Sequence, residues 1–126
     1  MPRQALQPDG MATPKPPFSP VVVSGDLVYT AGQVAHDAEG SLVEGGIEEQ
    51  TRQTLENIRR CLEAAGCTLD DVVKVNAFLA DLGDFDGYNR VYQEFFSTPY
   101  PARTSVQAGL PGGILIEIEA VARRSG

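Results

Sequence analysis

The sequence predicts an α+β fold with the element order β-β-β-α-β-α-β-β. Strand-like segments occur before, between and after two segments whose apolar residues recur at helical spacing. The 126 residues suit a single domain. Because two amphipathic helices can cover one face of a sheet, we expect a mixed sheet with both helices on the same face.

Composition and charge argue against several functions. The formal charge of −7 argues against nucleic-acid binding as a main task, because phosphate-backbone binding needs a basic surface. No apolar run is long enough to span a membrane and no signal-peptide hydrophobic region precedes the domain, so we expect a cytoplasmic protein. Cys61 and Cys67 lack metal-type spacing, which favours reduced, structural thiols and no metal site.

The N-terminal segment differs in composition from the rest of the chain. Residues 1–15 are rich in proline and poor in apolar side chains, which predicts an extended arm that becomes ordered only near Pro16. Residues 16–126 are predicted to form the single domain.

A β-hairpin is predicted to open the domain. Residues 21–23 and 27–30 are its strands, joined by a Ser-Gly-Asp turn. The next segment, 34–43, predicts a turn at 37–40 and a short third strand. His36, the single histidine, lies beside this turn and is expected to be a solvated loop residue. A Ser-His or Cys-His nucleophile system is therefore absent unless His36 supplies it.

The first amphipathic helix is predicted over residues 47–65. Glu48 and Glu49 suit its positive N-terminus, and Gly66 suits its C-terminal stop. The predicted buried stripe consists of Ile47, Thr51, Thr54, Leu55, Ile58, Cys61, Leu62 and Ala65. The predicted solvated face carries Gln50, Arg52, Arg59, Arg60 and Glu63.

A strand over residues 71–80 and a second helix over residues 85–97 follow. Asp84 is predicted to be the N-cap of this helix. The helix is expected to bury an aromatic stripe, which is more often core than a binding site: Phe85, Tyr88, Tyr92, Phe95 and Phe96. Asn89 lies beside this stripe and can point towards the sheet edge.

The last two strands, residues 103–108 and 114–122, are predicted to pair as a hairpin through a turn rich in glycine and proline. Either of two registers puts Arg103 within direct or diagonal cross-strand reach of Glu117, with Ser105 in the same patch. A plain ion pair and a functional site are both compatible with this pattern.

The sheet face away from the helices is predicted to mix apolar and charged side chains: Arg103, Ser105, Leu115, Glu117 and Val121. Such a face is a poor surface for a monomer. We therefore expect other copies of the chain to cover it, in a closed symmetric oligomer.

Several motifs carry a resemblance to a known family: Tyr29-Thr-Ala-Gly-Gln33, Gln53-Thr-Leu-Glu-Asn57, Glu63-Ala-Ala-Gly66, Asp84-Phe85 with Asn89, Pro101-Ala-Arg-Thr-Ser-Val106 and Ile116-Glu-Ile-Glu-Ala120. With them the chain resembles the RidA/YjgF family of reactive-intermediate deaminases, from about Phe18 onwards. The resemblance implies a chorismate-mutase-like fold and a homotrimer with clefts between subunits. It also implies cofactor-free hydrolysis of imines and enamines such as 2-aminoacrylate and 2-iminopropionate to a 2-keto acid and ammonia.

The resemblance also implies residue roles. Arg103 matches the arginine that grips the substrate carboxylate, and Glu117 matches the acid that positions the attacking water. Asn89 matches a polar residue lining the cleft, and Gly32 matches a position where the backbone approaches the ligand. Ser105 stands where a cysteine is common and can still offer its backbone N–H.

The remaining predicted substrate-binding positions are Phe18, Ala31 and Thr104. Phe18 stands where the best-studied relatives have a tyrosine, and Ala31 replaces a common serine. These departures leave the carboxylate clamp and the acid in place but point to a different substrate preference, such as another imine or an aminomuconate-like enamine acid.

Two further functions remain open from the sequence. One is a non-catalytic module that binds small keto acids or amino acids with the same clamp. The other is a ribonuclease or translation inhibitor, an activity ascribed to some relatives, which would need a local basic patch formed by Arg52, Arg59 and Arg60.

Overall fold

The computed structural model describes residues 2–125, and these residues form a six-stranded mixed sheet with two helices on one of its faces. The elements are β1 (Gln4–Leu6), β2 (Val21–Ser24), β3 (Leu27–Thr30), α1 (Ile47–Ala64), β4 (Val72–Leu79), α2 (Phe85–Phe95), β5 (Ala102–Gln107) and β6 (Ile116–Arg123). The strands lie in the order β1-β2-β3-β6-β4-β5. The predicted α+β class and element order are confirmed.

The first three strands are not the three that the sequence predicts. The N-terminal arm is extended, but it contributes β1, which pairs antiparallel with β2. The prediction that the arm becomes ordered only near Pro16 is therefore wrong. The predicted third strand at 34–43 reduces to one bridge between His36 and Leu42. The predicted turn is present, and the Asp37 carboxylate accepts the backbone N–H groups of Glu39 and Ser41, each at 3.0 Å. This side-chain turn keeps the segment outside the sheet.

The predicted C-terminal hairpin is wrong. Strand β4 lies between β5 and β6, and it runs parallel to β5 and antiparallel to β6. Because α2 connects β4 to β5, the chain returns in the same direction, as a parallel pair requires. The loop over residues 108–115 then crosses the end of β4, where the Ala108 N–H bonds Leu79 O and the Ala80 N–H bonds Leu115 O.

Helix α1 packs its predicted stripe against the sheet, and Leu55, Ile58, Cys61 and Leu62 are fully buried. At its start, the Gly46 N–H donates to Glu49 at 2.8 Å. The prediction that Gln50 lies on the solvated face of α1 is wrong. Gln50 is buried, donates to Gly113 O and accepts from the Leu115 N–H, each at 2.9 Å, because the loop before β6 needs these partners.

Helix α2 is shorter than predicted and ends at Phe95. Asp84 precedes it without a side-chain capping bond. Instead Asp81 accepts the Gly83 N–H at 2.8 Å in the short 3₁₀ turn before the helix. The helix carries most of the predicted aromatic stripe, with Tyr88 and Tyr92 buried, and Phe96 is buried just past its end.

Both cysteines are free and buried, and burial raises the pKa of Cys61 to about 12. His36 is exposed, as predicted. No helix within residues 2–125 has the length and apolar character needed to cross a bilayer.

Candidate functional site

Arg103 and Glu117 lie on opposite faces of the sheet. Arg103 pairs with Val75 of β4, whose side chain is fully buried beneath the helices, whereas Glu117 pairs with Phe78, which has the opposite parity. Strand β4 also separates the two strands that carry them. The predicted cross-strand contact between Arg103 and Glu117 in one chain is therefore wrong, because an intervening strand replaces the hairpin.

The structure also changes which residues lie on the sheet face away from the helices, called the open face below. Ser105 pairs with Ala77 and lies under the helices with Arg103, so neither faces outward. Glu117 and Val121 do lie on the open face, as predicted, while Leu115 precedes β6 in the loop bound by Gln50. The open face also carries exposed apolar side chains, with Tyr29 at 43% and Val106 at 42% exposure.

Arg103 lies in an aromatic cradle, formed by Phe85, Tyr88 and Tyr92 of α2. Its guanidinium carbon lies 4.7 Å from the ring centre of Tyr92, 4.9 Å from that of Tyr88 and 5.6 Å from that of Phe85. Its Nη1 donates to Asn89 Oδ1 at 2.8 Å. Within residues 2–125, Arg103 forms no salt bridge. The cradle holds the cation by cation–π contacts and leaves most of its donors for an anion.

The cradle is linked to strand β5 by one hydrogen bond. The Tyr88 hydroxyl lies 3.0 Å from Ser105 Oγ, and Tyr88 is fully buried. Burial raises the pKa of Tyr88, and the bond to Ser105 and the charge of Arg103 offset part of this rise. Burial also raises the pKa of Tyr92, to about 12. Both phenols therefore stay protonated near neutral pH.

A cavity of about 240 Å³ opens beside the guanidinium. Its walls are Asn89, Tyr92, Gln93, Tyr100, Pro101 and Arg103. A larger groove of about 920 Å³ lies at the end of α1. Arg123 and Asp26 on its wall form an ion pair, with 2.9 Å between Nε and Oδ2. The smaller cavity is the better candidate, because its guanidinium is half-buried and held in place by aromatic rings and Asn89. The guanidinium of Arg124 in the larger groove is exposed and donates to Gly25 O.

The Glu117 carboxylate lies against Gly32 on the open face. A Cβ atom on Gly32 would come within 2.1 Å of Glu117 Oε2, so the absence of a side chain at residue 32 makes room for the acid. Burial raises the pKa of Glu117, and the nearby charge of Glu119 raises it further. Glu119 itself accepts from Asn76 Nδ2 at 3.1 Å.

Three predicted binding residues remain: Ala31, Phe18 and Thr104. Ala31 adjoins Gly32, and its N–H donates to Pro20 O at 2.8 Å. Phe18 is 51% exposed. Thr104 faces outward from β5, where its hydroxyl accepts from Lys74 Nζ at 2.8 Å. In one chain the structure thus groups Arg103, Ser105 and Asn89 apart from Glu117 and Gly32.

The sequence interpretation missed the role of the helix α2 aromatics around Arg103. It assigned Tyr88 and Tyr92 to the core, which is correct, but both rings also contact the guanidinium. The available signal was that two members of the stripe are tyrosines, since a buried hydroxyl needs a polar partner. Tyr100, on the cavity wall, was also missed.

Comparisons with known proteins agree on one family. The family model described as Endoribonuclease L-PSP matches residues 10–124. A RutC family protein of Pyrococcus horikoshii is 48% identical over 113 residues, which cover 86% of this chain and 90% of the relative. The human protein named 2-iminobutanoate/2-iminopropanoate deaminase is 44% identical over 108 residues, covering 84% of this chain and 79% of the relative.

Solved structures give the same result. RidA from an Antarctic Psychrobacter is 40% identical with a TM-score of 0.89, and the match covers 95% of this chain and 98% of that one. TdcF of E. coli, solved with bound serine, is 33% identical with a TM-score of 0.89, and the match covers 97% and 99%. On both the sequence and the fold, the chain belongs to the Endoribonuclease L-PSP family, the RidA/YjgF group.

Proposed function

We propose that this protein is a hydrolytic deaminase of small imine and enamine carboxylates, which it converts to a 2-keto acid and ammonia. The name of the human relative supports the reaction class, and the serine bound to TdcF supports a small polar ligand. The observation that carries the proposal is the Arg103 guanidinium, which is held by Asn89 and three aromatic rings and has no carboxylate partner among residues 2–125.

An anionic substrate suits this guanidinium. A planar fork can donate two parallel hydrogen bonds to a carboxylate, and it keeps its charge at every relevant pH. A half-buried cation without a counter-ion also gains more from a bound anion than an exposed one does, because less water screens the pair. Arg103 is thus proposed to bind the carboxylate of the substrate.

The proposed site needs two copies of the chain. Arg103 and Glu117 face opposite sides of one sheet, so a single substrate can meet both only when one copy supplies Arg103 and a neighbour supplies Glu117. The apolar open face, with Tyr29 and Val106, gives a neighbour a surface to cover. The homotrimer implied by the resemblance would provide such an arrangement, with Gly32 and the adjoining Ala31 on the Glu117 side.

The proposed hydrolysis needs one group that accepts and returns a proton. Water adds to the carbon of the protonated C=N bond, and Glu117 accepts the proton that the water loses. The proton held by Glu117 then passes to the carbinolamine nitrogen, and the C–N bond breaks as ammonia leaves. The hydroxyl proton left on the new carbonyl oxygen returns to the Glu117 carboxylate and from there passes to the ammonia or to solvent. A raised pKa suits a carboxyl group that must take and return a proton near neutral pH. An enamine such as 2-aminoacrylate must first gain a proton at its terminal carbon to become the imine.

Loss of an imine generated in the assay tests the activity. An amino-acid oxidase produces 2-iminopropionate from alanine, and semicarbazide trapping reports how much imine survives. We expect the wild type to shorten the lifetime of the imine and Arg103→Ala to lose this effect. If neither protein differs from buffer while the wild type still binds 2-oxobutyrate, the protein is a binding module and the deaminase proposal fails. Imines from several amino acids, and an aminomuconate-like enamine, would define the substrate range.

Mixed oligomers test the two-copy arrangement. Arg103→Ala and Glu117→Gln, each inactive alone, are refolded together in equal amounts. If each site combines residues from two copies, about a quarter of the sites contain both native residues, and activity returns to about that fraction of wild type. The matched control mixes Arg103→Ala with Asn89→Ala, whose lesions lie in the same half of the site, so no gain above the mean of the parents is expected. Absence of recovery in the first mixture contradicts the arrangement.

Cleavage of RNA is not proposed, although the family model carries the word endoribonuclease. Of the three arginines that would form a basic patch, Arg52 pairs with Glu94 at 3.0 Å and Arg59 pairs with Glu56. With a formal charge of −7, this surface offers little attraction for a phosphate backbone.

A further inference from the structure

We infer that Tyr88 is a positioning residue for Arg103 and that it acts through its hydrogen bond to Ser105. The inference rests on the proposed function, because it concerns how the same guanidinium is held for its carboxylate ligand. It also changes the expected role of Ser105, whose hydroxyl would serve the architecture of the site rather than touch the substrate.

Tyr88 contacts each part of the Arg103 environment. Its ring centre lies 4.9 Å from the guanidinium carbon, and the ring packs edge-on against Phe85 at 5.7 Å and Tyr92 at 5.8 Å. Its hydroxyl meets Ser105 Oγ at 3.0 Å. Ser105 follows Arg103 by two residues on β5, so both side chains lie on the same sheet face.

The hydrogen bond supplies a directional constraint that the aromatic rings cannot. Cation–π attraction holds a guanidinium near a ring face but tolerates sliding across it. The bond between Asn89 and Nη1 fixes one corner of the fork, yet Asn89 itself is carried by α2. Because Tyr88 precedes Asn89 in that helix, its bond to Ser105 ties the helical turn that carries Asn89 to the strand that carries Arg103.

The engaged hydroxyl also limits what Ser105 can do for a ligand. Tyr88 is fully buried and Ser105 is half-buried beneath it, so the two hydroxyls satisfy one another away from solvent. A substrate would have to break this bond to reach Ser105 Oγ, and a buried phenol would then lose its partner. The side chain of Ser105 is therefore assigned to the support of Arg103.

Removal of the bond from either end tests the inference. Tyr88→Phe deletes the phenol oxygen and keeps the ring, and Ser105→Ala deletes the other oxygen. Each is expected to raise both KM and the inhibition constant of 2-oxobutyrate about three- to tenfold, the effect of one net hydrogen bond, with kcat changed by less than about twofold. Because both changes remove the same bond, the double variant should be no worse than either single one. Ser105→Thr keeps a hydroxyl and should retain most of the affinity.

Coupling to Arg103 separates positioning from a merely structural role. Arg103→Lys keeps the charge but lacks the planar fork, so Tyr88→Phe should not weaken 2-oxobutyrate binding further in that background. Thr54→Val is the matched control for loss of a buried hydroxyl, since Thr54 lies on α1 and its hydroxyl has no partner within residues 2–125; its inhibition constant should match wild type.

Two outcomes would overturn the inference. One is that folded Tyr88→Phe binds 2-oxobutyrate as tightly as the wild type. The other is that Tyr88→Phe weakens this binding equally in the native and the Arg103→Lys backgrounds. Neither outcome affects the deaminase proposal, which is tested separately by the loss of activity in Arg103→Ala.

Discussion

The carboxylate of Glu117 fills the space that a side chain on residue 32 would need. A Cβ atom on Gly32 would lie 2.1 Å from Glu117 Oε2, although the backbone of Gly32 lies outside the left-handed region that favours glycine. The requirement for glycine here is therefore one of space and not of backbone conformation. Gly32 thus defines where the proposed acid lies.

Gly32→Ala should impair catalysis far more than folding. The new methyl group must push away the flexible end of Glu117, so we expect kcat to fall about tenfold to a hundredfold, as misplacement by about 1 Å can cause. The melting temperature should change little. Gly109→Ala is the matched control, because a Cβ atom there meets nothing within 4 Å. Normal kcat in Gly32→Ala would contradict the placement of Glu117 in the site.

The charge of Glu119 should affect the pH at which activity is lost on the acidic side of the pH–rate profile. Its negative charge helps raise the pKa of Glu117 above the ordinary value of 4.5, after the larger effect of burial. Since the proposed proton acceptor must be ionised, kcat/KM should fall as pH drops through this pKa. Glu119→Gln removes the like charge, lowers the pKa of Glu117 and should shift this acidic limb of the profile to lower pH.

Rates measured from about pH 3, below the ordinary carboxyl pKa, up to about pH 8 follow this shift. Glu119→Asp keeps the charge and is expected to leave the limb close to its wild-type position. An identical profile for Glu119→Gln and wild type would mean that Glu117 does not control this limb.

A charge on the open face should prevent assembly and, with it, activity. Val106 pairs with Phe78 on this face and is 42% exposed in the single chain. Val106→Lys would bury a charge in the proposed contact between copies, so we expect a lower sedimentation coefficient at micromolar concentration and loss of imine hydrolysis. Leu82→Lys, at a 49% exposed position in the turn before α2, should leave both unchanged. A fully active, monomeric Val106→Lys protein would exclude a site shared by two copies.

Gln50 should contribute to stability through the loop before β6. Its amide is buried and bonds Gly113 O and the Leu115 N–H, so Gln50→Ala leaves two backbone groups without these partners. We expect the free energy of unfolding to fall by about 2 kcal/mol, measured in urea at fixed protein concentration. Gln93→Ala, an exposed position on α2, should change it by less than about 0.5 kcal/mol. Equal effects of the two changes would show that the loop does not depend on Gln50.

Local sequence patterns determined both helices and strands β2 to β6 of this fold, but not β1. Helical spacing predicted α1 to within one residue of its end, and alternation predicted β4 to within one residue at each end. The family motifs predicted Gly32 and Glu117 as site residues, each from the motif around it. These features depend on residues close in the chain or on side-chain size, which a sequence displays directly.

Pairing between distant strands was decided by tertiary structure alone. Nothing local to residues 100–122 signals that β4 inserts between β5 and β6, because the hydrogen bonds of an added strand leave no mark on the alternation of the strands beside it. That insertion moves Arg103 and Ser105 beneath the helices and leaves Glu117 on the open face. The sequence could therefore suggest Arg103 and Glu117 as a clamp and an acid, but only the sheet order shows that they face opposite sides of the sheet within one chain.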